Sequence, residues 1–280
     1  MTVHRLGSVR PRRLSPAGTL LAALALLLAL AAPATAADDP PDADEPARGS
    51  AYMGMGVLAH DGQHGLPAGT RAAQTEGVDV SSHQGNVAWS TLWSSGVRWA
   101  YAKASEGTYY TNPYFARQYS GSHAVGMIRG AYHFATPDTT SGAAQANYFV
   151  DHGGGWTRDG KTLPGALDIE WNPYGAACYG KTQSGMVTWI RDFLNRYKAR
   201  TGRDAVIYTA TNWWTQCTGN YAGFASANPL WIARYASAPG TLPAGWSYHT
   251  AWQYTSSGPT VGDHNRFNGG LDRLRALANG

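Results

Sequence analysis

Two carboxylates stand at alternate positions in Pro164-Gly-Ala-Leu-Asp-Ile-Glu-Trp171, where an apolar run ends. If the run is a strand, its two-residue period puts Asp168 and Glu170 on one face, roughly 7 Å apart at Cα. Keeping two acids on the buried face of a strand is unfavourable unless something requires them. Cleavage of a glycosidic bond does require such a pair. One carboxyl gives a proton to the leaving oxygen, and the other meets the positive charge that develops on the sugar. Taken alone, the segment fits a strand end with two solvated acids equally well.

Other candidate polar residues fall at the ends of similar runs. Asp79 lies in Val78-Asp-Val80, and Glu106 follows Lys103-Ala-Ser105. Tyr132 and His133 end a third run, and Gln253 and Tyr254 end another. Asp263 is expected in the loop that follows, within Gly262-Asp-His-Asn265.

The elements that must position these residues alternate. Strands are predicted over Gly77–Ser81, Trp99–Ala104, Ile128–Phe134, Gly165–Trp171, Ala205–Thr209, Leu230–Tyr235 and Thr250–Tyr254. Helices are predicted near Ala88–Ser95, Pro113–His123, Ser141–Asp151, Thr182–Thr201 and Leu271–Ala278. Strand, helix, strand implies parallel pairing. Seven or eight strands in one α/β domain over residues 76–280 point to a TIM-type barrel, short beside the usual ~250 residues. An open doubly wound sheet is the alternative, but no G-x-G-x-x-G or P-loop follows any strand. In a parallel barrel the active site lies at the C-terminal mouth, so acids far apart in sequence would converge there.

The N-terminus reads as a secretory signal over residues 1–36: a basic start, a Leu/Ala run over Thr19–Ala32 and an Ala34-Thr-Ala36 cleavage site. The 22 Lys and Arg exceed the 18 Asp and Glu, but four arginines fall before Ala37, which leaves 18 against 18. The secreted chain is therefore near neutral, and its charge gives no reason to expect nucleic acid or, after signal cleavage, membrane as a partner. Residues 37–75 read as an acidic, Pro-rich linker followed by a Gly-rich segment that is either an irregular arm or a propeptide. His60 and His64 lie in that segment without a third ligand nearby, and no CxxC or CxxH pattern supports a metal site. Two cysteines in a secreted chain, Cys178 and Cys217, are expected to pair. The eleven Trp and sixteen Tyr suit a carbohydrate ligand and core packing alike.

An ordered set of motifs then resembles a family. Gly77-Val-Asp-Val-Ser-Ser-His-Gln-Gly85 followed by Trp89 is similar to the opening of the glycoside hydrolase family 25 lysozymes, the Chalaropsis-type muramidases. Further matches are Tyr101-Ala-Lys-Ala-Ser-Glu-Gly107, Arg129-Gly-Ala-Tyr-His-Phe134, Leu167-Asp-Ile-Glu170, Trp231-Ile-Ala-Arg-Tyr235 and Trp252-Gln-Tyr254, then Asp263 with Asn265 and Phe267. They occur in the family's order. The resemblance implies a modified barrel of about eight strands and about five helices, as a single catalytic domain. It implies hydrolysis of the β-1,4 bond from N-acetylmuramic acid to N-acetylglucosamine in peptidoglycan, with net retention; no metal or organic cofactor is expected, since the sequence has no recognisable metal or nucleotide pattern. Carried over by position, Glu170 is the general acid, Asp168 its charge-stabilising partner, and Asp79 and Asp263 supporting acids. Glu106 matches a family acid, and Tyr132 would line the muramic acid subsite. His133 is expected to be a hydrogen-bonded structural residue. Trp171, Tyr208, Tyr235 and Trp252 are candidates for contact with sugar, each with core packing as its alternative, and Gln253 stands among them.

The resemblance thus implies a secreted, extracellular monomer whose partner is the peptidoglycan glycan strand. A non-catalytic peptidoglycan-binding barrel is the rival reading, but it has no need of four acids at strand ends. A family 18 chitinase would carry Asp where Leu163 and Ala166 stand, and a zinc peptidase would carry HExxH, which is missing.

Overall fold

The computed structural model describes residues 46–67 and 74–280. The predicted signal peptide and the acidic stretch that follows it lie outside the described residues.

Eight strands form the ring. They are β1 (Thr75–Val80), β2 (Trp99–Glu106), β3 (Ile128–Phe134), β4 (Ala166–Asp168), β5 (Val206–Ala210), β6 (Leu230–Ala233), β7 (Ala251–Thr255) and β8 (Asp263–Phe267). From β1 to β7 each strand that pairs with its sequence neighbour does so in parallel. β8 runs antiparallel to both β7 and β1 and closes the ring. The barrel is therefore α/β and mixed, with one reversed strand. The barrel is as expected, and the alternative of an open doubly wound sheet is excluded by the β1–β2 and β1–β8 pairings together.

The predicted helices appear as α2 (Trp89–Ser94), α3 (Phe115–Ala124), α4 (Gly142–Phe149), α5 (Gln183–Thr201) and α7 (Leu271–Asn279). Two more are present among the described residues, α1 (Met55–Asp61) in the arm and α6 (Thr211–Thr218) after β5. The longest, α5, shows why such segments form. Thr182 caps it by accepting from the Gly185 amide at 3.1 Å, and Gly202 ends it in the left-handed region. Its buried residues Met186, Ile190, Phe193 and Tyr197 recur every three or four positions and face the barrel.

Two expectations change in detail. β4 stops at Asp168, so Glu170 lies just past the strand and not within it. Asp263 is the first residue of β8 rather than part of a loop. Both changes keep the acids at one end of the ring. Cys178 and Cys217 are bonded, with Cα atoms 5.3 Å apart, and so tie the loop after β4 to α6. Among the described residues no helix is long and apolar enough to cross a membrane.

Candidate active site

The acids converge at the mouth where the parallel strands end. Asp79 on β1 and Asp263 on β8 are direct cross-strand partners. The Gln253 side chain of β7 reaches both, its Nε2 donating to Asp79 Oδ2 at 2.9 Å and to Asp263 Oδ2 at 3.3 Å. Asn265 donates a second amide to Asp79 at 2.7 Å and accepts from the Trp231 indole at 2.8 Å. Asp168 and Glu170 lie across the mouth, and neither is exposed to solvent.

Burial is the main electrostatic influence. It pushes Glu170 up to about 8 and Asp79 to about 7, against the pull of amide donors on each. Burial, with the adjacent Glu170 charge, holds Asp168 well above the usual carboxylate range. Asp263 is raised in the same way by burial and by Asp79. The four therefore titrate as a set, and at neutral pH they do not all carry charge.

Asp168 and Glu170 also differ from the other acids in what binds them. Neither oxygen of Asp168 has a protein donor, and Glu170 Oε2 has none either. Buried oxygens of this kind are rare in folded proteins and call for an explanation. Glu106 is the opposite case. It accepts from the Tyr109 and Tyr174 hydroxyls, both at 2.7 Å, and pairs with Lys103 at 2.5 Å. That full set of partners fixes Glu106 in place against Lys103, and the Lys103 charge in turn reaches Asp168.

The expected aromatic residues divide. Tyr132, Tyr208 and Tyr235 are buried within the ring mouth. The Tyr208 and Tyr235 hydroxyls both donate to Gln253 Oε1, at 2.6 and 3.0 Å. Their hydroxyls are placed at the site, but their ring faces are packed: Tyr208, for one, meets Trp231 edge-on. Trp171, just past Glu170, is buried, with its ring stacked on that of His60. Trp252 alternates with Gln253 along β7 and so faces the other side, where its indole donates to the Arg234 carbonyl. It takes no place at the mouth. His133 is neutral and bonded on both nitrogens, to Ser105 and Gln145, with burial pushing its pKa down to about 3. Trp213 and Trp214 are both core residues.

Three site residues carry no role in the reading of the sequence. Lys103 is fully buried in the middle of β2, and a lysine inside an apolar strand was the visible signal. Asn265 was visible as a motif residue whose function was unassigned. Tyr174 had no signal, because it lies in the irregular loop after Glu170. Among the described residues no group of His, Cys, Asp and Glu could hold a metal ion.

A closed β/α barrel with buried carboxyls gathered at its mouth is an arrangement suited to a barrel glycosidase. Residues 78–263 match the family described as Glycosyl hydrolases family 25. A muramidase structure from Acremonium alcalophilum superposes with a TM-score of 0.72 at 56% identity, covering 73% of this chain and 99% of that one. The N,O-diacetylmuramidase of Chalaropsis sp is 50% identical over 73% of this chain and 99% of its own length. Lysozyme M1 of Streptomyces globisporus is 46% identical over 96% of this chain and 95% of its own. The chain belongs to glycosyl hydrolases family 25 and is a glycoside hydrolase of the lysozyme kind.

Proposed function

We propose that the protein is a secreted N-acetylmuramidase that cleaves the β-1,4 bond between N-acetylmuramic acid and N-acetylglucosamine in peptidoglycan. The observation that carries this reading is the pair Asp168 and Glu170. Both are buried at the barrel mouth, and three of their four oxygens lack a protein partner. The muramidases and lysozymes it resembles supply the substrate class.

Glu170 is the general acid. With the mouth covered, burial raises its pKa to about 8, so beneath a bound sugar at neutral pH it can protonate the leaving oxygen. Asp168 meets the positive charge that develops at the anomeric carbon. It does so as nucleophile or by orienting the substrate's 2-acetamido carbonyl, and either course gives net retention. Lys103 helps Asp168 to ionise as that charge grows. Asp79 and Asp263, bridged by Gln253, set the potential of the mouth and share protons between them. The face of Trp171 that His60 covers suits a sugar ring.

The test is digestion of purified peptidoglycan followed by mass spectrometry of the fragments. New N-acetylmuramic acid reducing ends support the reading. New N-acetylglucosamine reducing ends, or free stem peptides, refute it.

A further inference from the structure

Residues 46–67 do not lie loosely beside the barrel. They run across its mouth and into the site. The Gly54 amide donates to Glu170 Oε1 at 2.5 Å, and the Met53 amide donates to the Tyr132 hydroxyl at 3.4 Å. The Gly54 and Met53 carbonyls accept from Tyr235 and Gln253 at 3.3 and 3.4 Å. Nearer the rim, Lys103 Nζ donates to the Ala51 carbonyl at 2.5 Å, and the Gly49 amide donates to Glu106 at 2.8 Å. His60 lies flat on Trp171, ring centroids 4.2 Å apart and planes 14° apart. Asp61 accepts from Asn212 at 2.7 Å, and Gln63–His64 adds a short parallel strand beside Tyr235–Ala236.

We propose that this arm is an intramolecular plug that occupies the sugar-binding cleft and keeps the enzyme latent until the arm leaves. The proposal rests on the muramidase reading above for the identity of the cleft. The chemistry of the contacts fits a stand-in for substrate. A peptide amide presents the same N–H and C=O as an N-acetyl group, and the arm delivers amides to the acids and hydroxyls of the mouth. A flat ring on an indole is how a sugar face or its mimic would bind.

Two observations separate a plug from a structural part of the fold. First, the arm bonds Glu170 through Oε1 alone, while Glu170 Oε2 and both oxygens of the buried Asp168 have no hydrogen-bond donor. A segment that served the fold alone would not leave buried carboxyls in that condition. Second, all eight strands of the ring lie outside the arm. The family match, residues 78–263, lies wholly outside the arm, and the Acremonium muramidase aligns 99% of its own chain with 73% of this one, so a barrel of this kind folds without about a quarter of the length present here. The match to lysozyme M1 spans 96% of this chain and therefore extends into the arm.

The close fit at Gly54 gives the test. Its φ is +86°, and a Cβ there would run into the Tyr235 hydroxyl and sit 2.5 Å from Gln253 Oε1. Gly54→Val should expel the arm without touching the ring. Leu58→Ala, on the exposed side of α1, is the control. A tethered segment acts at an effective concentration in the mM range, so a Kd of about 0.1 mM would leave the cleft roughly 90% closed. The lysis rate of purified walls should then rise about tenfold in full-chain Gly54→Val and in a chain starting at Gln74, and stay unchanged in Leu58→Ala. A synthetic peptide of residues 46–67, titrated calorimetrically into the shortened chain, should bind one to one and slow its lysis. The same peptide with Gly54→Val should not bind. Equal lysis by the full and shortened chains, or no binding of the wild-type peptide, overturns the plug. Peptide binding to a shortened chain that releases no wall fragments supports the plug and refutes the muramidase reading instead.

Discussion

Glu170→Gln is the most informative single substitution. Gln keeps the size of the side chain and an acceptor for the Gly54 amide, but it cannot donate the proton that the leaving oxygen needs. General acid assistance is worth about 10²–10⁴-fold, so the lysis rate should fall by at least about a hundredfold. Stability should move the other way, and only at higher pH. Burial raises the folded-state pKa of Glu170 from 4.5 to about 8. Between those values the folded chain holds a proton that the unfolded chain has released, so this carboxyl's contribution is full below about pH 4.5 and is lost as pH rises towards 8. Each pH unit is worth about 1.4 kcal/mol. Shared with Asp79, Asp168 and Asp263, the effect of this one residue is on the order of a few kcal/mol. Thermal melts of the wild type and variant should coincide near pH 4.5 and separate by several degrees at pH 8, with the variant higher. A folded variant with near-wild-type lysis would refute the assignment of the acid. A melting difference independent of pH would refute the claim that Glu170 is buried in its neutral form.

Asp79→Asn and Asp263→Asn should each cost less activity than Asp168→Asn, because Gln253 still bridges an isosteric amide, as wall-lysis rates against pH would report. Lys103→Met leaves Glu106 buried without its cation and should cost about 3–5 kcal/mol in a denaturant titration, with most of that recovered in Lys103→Met/Glu106→Gln. Replacing Cys178 and Cys217 by Ser should destabilise by about 4 kcal/mol in the chain-entropy model for a separation of 39 residues, measured by melting under non-reducing conditions. Dialysis against a chelator should leave lysis unchanged, and a loss restored by zinc would contradict a site built from carboxyls alone.

The parallel part of the barrel was legible because its strands are apolar runs between helices with clear periodicity. β8 was not, because Asp263-His-Asn-Arg-Phe267 has no apolar alternation. It forms a strand because each polar group meets a partner: Asn265 finds Asp79 and Trp231, and Arg266 pairs with Glu76 at 2.9 Å. α6 was hidden by its adjacent tryptophans, both buried. The four acids were legible from their types and order. Several of their partners were not, since Lys103, Tyr174 and Asn265 acquire meaning only when segments far apart in sequence meet. The arm was read as irregular because its glycines and short helix give no period. Its order comes from the barrel it lies against.

The reversed strand also bears on how the molecule assembles. Because β8 runs backwards, its first residue, rather than its last, arrives at the mouth, and the register sets Asp263 against Asp79. The final seam of the ring is thus made across two carboxyls from opposite ends of the domain. Before that seam closes, each acid is hydrated and ordinary; afterwards they share an amide and a limited number of protons. Closure of the cylinder and creation of the unusual acids are one event. A chain stalled short of it would have helices and parallel strands but no raised pKa at this pair. Mild acid, which neutralises the two carboxyls before they meet, should speed the last step of refolding relative to neutral solution.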